Sequence, residues 1–236
     1  MKALPESVKE PLRLWMERLG VRPKRSFGLD QLDIKLAEHV CMRGGFFVEA
    51  GANDGVAQTN TLYFERYKNW RGLLVEPIPQ LAERCRVNRP KAIVEQCALV
   101  SSDSEEDTVE MTYCNLMSLV SGARGSKDAD QAHLDAGRRF LEPDEETCSV
   151  CVPARTITSV LTQHGVECID LLSLDVEGFE ADVLRGLDFG RHAPRHILVE
   201  VNDAASVEEA LGSRYELVTQ LSHHDRLYRL RQNKSR

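Results

Sequence analysis

The stretch GGFFVEAGANDGVAQTNTLYFE, residues 44–65, decides how this chain folds. Apolar Phe46, Phe47 and Val48 run into a loop crowded with Gly51, Asn53, Asp54 and Gly55. A helical pattern follows, with Leu62, Phe64 and Tyr67 on one side. An apolar run that ends in glycines and opens a helix reads as a buried parallel strand with a turn at its carboxyl end. Ligands of open parallel sheets bind outside those carboxyl ends. Glycine lets the backbone turn sharply and approach a ligand, because no Cβ intervenes. Asn53 and Asp54 tolerate unusual dihedrals and can bond to nearby amides.

Outward from this stretch the pattern repeats. GLLVEP (72–77) precedes the helix QLAERCRVN (80–88), and AIVEQCALV (92–100) reads as a third strand. IDLLSLDVE (169–177), the helix FEADVLRGL (179–187) and HILVEV (196–201) follow. Apolar strands separated by helices predict a parallel sheet covered on both faces. The end differs: a short helix, SVEEAL, precedes the alternating strands YELVTQL and RLYRL, joined by SHHD. So tight a connection makes the last pair antiparallel. The expected fold is α/β, a mostly parallel sheet ending in an antiparallel hairpin with helices on both faces. Residues 1–43 read as an N-terminal helical segment, in which Leu12, Leu14, Trp15, Met16 and Leu19 form a short amphipathic helix. Residues 44–236 read as the main domain. Residues 101–150 break its rhythm with the charge run SSDSEEDTVE and the acidic loop LEPDEET. An insertion this long is more often functional than idle, and we read it as a cap on the substrate side.

At 236 residues, 42% hydrophobic and 28% charged, the chain can form one sizeable domain. Its net charge of -7 argues against a nucleic-acid partner. No apolar run approaches the roughly 18 residues that span a bilayer. Prolines and charges interrupt MKALPESVKEPLRLWMERLG, where a signal peptide needs a continuous apolar region. A cytoplasmic protein with no membrane partner is expected. The seven cysteines, an odd number, read as free thiols in a reducing compartment. Cys148 and Cys151 have the spacing of half a zinc site, but no second pair follows.

The sign of charge at the first strand tip narrows the ligand. G-A-N-D-G lacks the middle glycine of a dinucleotide loop. Glu49 places a negative charge beside it, which repels phosphate and attracts a cation. S-adenosylmethionine, with a sulfonium and an ammonium, suits that site better than NAD. Glu76, ending the second strand, can accept both ribose hydroxyls of a nucleoside. It can equally cap the following helix; Pro77, beside it, supports a helix start and joins this part of the cofactor site. Ala98 and Leu99 offer an apolar shelf for an adenine, and Asp103 an acceptor for its exocyclic amine.

Seven pieces in order carry a family resemblance: LDQLDIKL (29–36), residues 44–65, WRGLLVEPIP (70–79), NRP (88–90), NLMS (115–118), PARTIT (153–158) and IDLLSLDVEGFEADVLRGLDF (169–189). Together they resemble the FkbM family of S-adenosylmethionine-dependent methyltransferases. The resemblance implies a Rossmann-like class I methyltransferase fold. It implies that Glu49, Gly51, Ala52, Asn53 and Asp54 line the methionine portion of the cofactor, and Glu76 its ribose. Asn60 and Thr61 would orient the same ligand. Gln31 and Asp33 would close over it, or else cap a helix. In AQTNT many relatives carry a serine before Asn60; Thr59 keeps the hydroxyl.

On the acceptor side, alternation along a strand puts Asp175 and Glu177 on one face, and Glu200 and Asn202 on another shared face. Asp175 or Glu177 could serve as general base toward an acceptor hydroxyl. Alternatively Asp175, Glu200 and Asn202 could hold Mg²⁺. His133, in the insertion, is a candidate substrate-side base; His223 and His224 fall in the exposed hairpin turn. The leading expectation is O-methylation of a sugar or natural-product hydroxyl. N-methylation of a peptide or amine, a cofactor-binding module without transfer, and an NAD-dependent oxidoreductase are the alternatives. The partner is a small-molecule or peptide acceptor, and a homodimer stays open.

Overall fold

The computed structural model describes Trp15 and residues 26–120, 122–123, 125–141 and 145–231. The amphipathic segment read at residues 12–19 lies outside these, except for Trp15, which is exposed. Along the chain the strands are β1 (Phe46–Ala50), β2 (Arg71–Val75), β3 (Ile93–Glu95), β4 (Ala98–Leu99), β5 (Thr108–Tyr113) and β6 (Leu119–Val120). Then come β7 (Cys148–Arg155), β8 (Leu171–Leu174), β9 (His196–Glu200), β10 (Tyr215–Gln220) and β11 (Asp225–Leu230). The helices are α1 (Leu32–His39), α2 (Leu62–Lys68), α3 (Pro79–Asn88), α4 (Lys127–Gly137), α5 (Ile157–Gln163), α6 (Glu180–Arg185), α7 (Phe189–His192) and α8 (Ala204–Leu211).

The main sheet has the order β10-β11-β9-β8-β1-β2-β3. Its pairings are parallel from β9 to β3, and β11 is antiparallel to both β9 and β10. The expected parallel sheet with a terminal hairpin is therefore present. The chain winds outward through β1, β2 and β3, then returns to place β8 on the other side of β1. That reversal makes the β1–β8 edge a topological switch point, where a crevice opens.

Strand alternation sorts the core. Val48, Leu73, Val75, Leu172 and Leu174 face α5, α6 and α8, through Ile157, Leu161, Val183, Leu184 and Val207. Phe47, Leu74, Leu171 and Leu198 face the other way, onto Leu32 and Leu36 of α1, Phe64 of α2 and Cys85 of α3. Residues 26–43 thus join the domain's own helical layer. Glu49 shares the Phe47 side of β1.

One expectation needs correction. The third strand, read as 92–100, is two: β3 pairs with β2, whereas β4 pairs with β7 in a second sheet of order β4-β7-β5-β6. The insertion is largely regular structure. Val109, Met111 and Tyr113 alternate along β5 and pack with Val150 and Val152 of β7 against Ile78, Leu81 and Ala98. This small core gives the second sheet a reason to form. Cys148 and Cys151 are both exposed on β7. Among the described residues no helix is long and apolar enough to cross a membrane.

Candidate active site at the strand tips

A cavity of about 620 Å³ opens at the carboxyl ends of β1, β2 and β8. Gly51 turns the chain there with φ +82°. A Cβ at this position would collide with the Asp175 carbonyl oxygen, so only glycine fits. The Gly51 and Ala52 amides both donate to the Val75 carbonyl, at 3.1 and 3.2 Å, which ties the loop to β2. Glu76 is buried at the tip of that strand and accepts from the Asn53 amide (2.8 Å) and the Ile78 amide (2.9 Å). Burial pushes its carboxyl up to about 8, against the two amides that lower it and with help from the Asp54 charge. Pro79 opens α3, one residue before the helix read at 80–88, and Pro77 lies outside its first turn. Pro77 instead borders the cavity.

Beneath the loop lies a buried polar network. Glu49 borders the cavity but is only 4% exposed, and its carboxylate is engaged by the loop itself. It accepts from Thr59 Oγ1 (2.8 Å), the Asn60 amide (2.8 Å) and Thr61 Oγ1 (2.5 Å). Thr59 therefore does use its hydroxyl. Arg89, fully buried, completes the network. Its guanidinium donates to Glu65 (2.7 Å), the Gly55 carbonyl (3.1 Å) and Thr61 Oγ1 (3.2 Å), and lies 3.9 Å from Glu49. The sequence reading quoted NRP without giving Arg89 a role. Its signal was an arginine following a helix whose apolar face is buried.

Several expected cofactor contacts are displaced. Asp54 does not border the cavity, because its carboxylate accepts from the Val56 and Ala57 amides, both at 2.8 Å, and closes the loop's turn. Thr61 is spent on Glu49. Asp103 sits on an exposed turn, bonded to Ser101, because the chain leaves the main sheet after β3. Ala98 and Leu99 do form a wall, together with Met111, Val120 and Phe179. Gln31 is exposed away from the cavity, and the buried Asp33 ties down the Ser26 hydroxyl and Phe27 amide. Leu29, Asp30 and Gln58 border the cavity instead. Asn60 borders it too; its amide nitrogen donates to Ser173 (3.3 Å), while its buried Oδ1 has no hydrogen-bond partner.

Beside the Gly51 turn, at the tips of β8 and β9, Asp175, Glu177 and Glu200 each bring a carboxylate oxygen within 4.8 Å of the others. Strand alternation is not what gathers the first two. β8 ends at Leu174, and a turn with Glu177 at φ +56° folds its side chain back. The turn is held by the Val176 and Gly178 amides donating to Glu180. Asn202, expected in the metal set, is exposed on the wall of the same cavity. Asp175 is open to water within a recess that protein otherwise surrounds. That recess, a hydrogen bond with Glu200 and the charges of Glu200 and Glu177 push its carboxyl well above the usual range. His133, on α4, reaches the same place: its Nε2 is 3.4 Å from Glu177 and 3.2 Å from the Met117 carbonyl. The insertion also supplies Asn115 and Leu116, from the NLMS piece, and Arg139 and Phe140 to the wall, none of them given a role from sequence. His223 and His224 are exposed at the rim, as expected of the hairpin turn.

These residues fit S-adenosylmethionine on their own chemistry. The Gly51 turn brings backbone to the cavity edge, a buried carboxylate ends β2, an apolar wall flanks it, and the acidic lining suits a cationic ligand. Residues 49–233 match the model of the methyltransferase FkbM domain. The first piece of the resemblance, at 29–36, and the first five residues of the second, 44–48, precede that span. Methyltransferase sdnD of Sordaria araneosa is 30% identical over 195 residues, covering 72% of this chain and 71% of that protein. Solved structures are more distant. A TehB-like SAM-dependent methyltransferase from Corynebacterium glutamicum is 11% identical, with a TM-score of 0.42 over 96% of this chain and 97% of that one. A methyltransferase from Geobacter sulfurreducens is 13% identical, with a TM-score of 0.45 over 97% and 91%. The chain belongs to the FkbM methyltransferase family and is an S-adenosylmethionine-dependent methyltransferase.

Proposed function

We propose that the enzyme methylates a hydroxyl oxygen of a sugar or other natural-product acceptor. The donor site lies at Gly51–Asn53, Asn60, Glu76 and the Ala98–Leu99 wall. When bound there, S-adenosylmethionine supplies a methyl group on a sulfonium, with a neutral thioether as leaving group. Glu76 accepts hydrogen bonds from the ribose hydroxyls, and the acidic lining favours the donor's positive charge. Asp175 and Glu200 share a hydrogen bond, and Asp175 keeps its proton well above the usual carboxylate range. Glu177, beside His133, is then the group that takes the acceptor's proton. Glu177 would hold that proton once the acceptor oxygen has taken the methyl group from the donor. Positioning by Asp175, Glu200 and the insertion wall supplies the rest of the acceleration.

The convergence of three carboxylates at the edge of the donor loop carries this reading. Transfer from a methyl-¹³C donor to panels of glycosides and amines, read by carbon NMR, tests it. The methyl is expected on oxygen; a methyl found on nitrogen would overturn the acceptor assignment. Loss of transfer in EDTA, restored by Mg²⁺, would recast Asp175, Glu177 and Glu200 as metal ligands.

A further inference from the structure

We infer that Arg89 is a positioning residue for the methyl donor, acting through Glu49 and the 51–61 loop. This rests on the donor site proposed above. Arg89 follows α3, has no exposed surface, and is not among the residues that border the cavity. Any influence on the donor must therefore pass through what its guanidinium holds.

It holds the loop at two points. Nη1 donates to the Gly55 carbonyl, fixing the left-handed glycine turn at φ +80°, and Nη2 donates to Thr61 Oγ1. Thr61 Oγ1 in turn donates to Glu49, which also binds the Asn60 amide. Nε anchors the whole group to Glu65 of α2. The guanidinium carbon lies 5.2 Å from the centre of the Phe47 ring, on the same side of β1 as Glu49. One cation thus sits between two buried carboxylates, Glu49 and Glu65, and two turns of one loop. Without it both carboxylates would be buried with fewer partners and would seek water, pulling the loop with them. A lysine keeps the charge but offers one compact ammonium in place of a fork that reaches in several directions.

The test is a double-mutant cycle on the affinity for S-adenosylhomocysteine, measured by calorimetry on wild type, Arg89→Met, Glu49→Gln and the double variant. Arg89→Met is expected to weaken binding about tenfold or more, and the two substitutions to be non-additive by about fivefold. An arginine that merely supports the fold would lower melting temperature yet leave the two effects additive. Unchanged affinity in Arg89→Met, or additivity, overturns the inference. Should Arg89→Met fail to fold, Arg89→Lys takes its place in the cycle under the same criteria. Failure of the wild type to bind S-adenosylhomocysteine would instead overturn the donor-site reading.

Discussion

Raising the pH should tighten the enzyme's hold on its cofactor, and Glu76 is the reason. Its carboxyl is raised from 4.5 to about 8 by burial. A ribose hydroxyl donates best to the ionised form, so binding must first expel a proton. At pH 7 a group with this pKa is about one-tenth ionised, and the apparent affinity falls by that fraction. Between pH 6 and 9 the dissociation constant of S-adenosylhomocysteine should therefore drop by about a hundredfold. Calorimetry in buffers of different ionisation heat should also show nearly one proton released near pH 7. The Glu76→Gln variant should lose this dependence; the ligand's own amine titrates in both proteins and cancels in the comparison. A flat profile in wild type, or an equal slope in Glu76→Gln, would refute the reasoning. Stability of the unliganded protein should move the opposite way. The folded state holds the proton between pH 4.5 and about 8 while the unfolded chain has lost it. Stability is thus fullest below 4.5 and declines as pH rises through 8, by about 5 kcal/mol from this group.

Other outcomes follow from the same geometry. Gly51→Ala should abolish cofactor binding and lower the melting temperature, because its Cβ meets the Asp175 carbonyl; a well-folded variant of normal affinity would contradict the turn. Glu177→Gln should reduce kcat by about a hundredfold or more while S-adenosylhomocysteine affinity holds within about twofold, as measured by steady-state rates and calorimetry. Asp103→Ala should leave that affinity unchanged, since Asp103 lies on an exposed turn bonded to Ser101; a clear loss would return it to the adenine pocket.

The main sheet was legible because its signals are local. Each parallel strand is an apolar run followed by a helix, and the hairpin from Tyr215 to Leu230 alternates visibly. Glu76 and the Gly51 turn were readable for the same reason: both sit at the end of such a run. What resisted reading depends on contacts distant in sequence. The break between Glu95 and Ala98 exists because β4 finds its partner in β7, more than fifty residues on. Asp54 and Thr61 lie in the right loop, yet hydrogen bonding inside it keeps them off the cavity lining. Glu177 arrives beside Asp175 through a left-handed turn rather than a pleat, which alternation cannot foresee. The ring of His133 meets Glu177 across 44 positions of chain, and only the folded insertion brings them together.

The strand that carries Ala98 and Leu99 hangs from β7, not from β3. The surface proposed for the adenine is therefore built by the same segment as the proposed acceptor side. Donor and acceptor selectivity share a scaffold and cannot be tuned independently. A chimera that imports residues 108–152 from a relative to change its substrate should also find its appetite for the methyl donor altered.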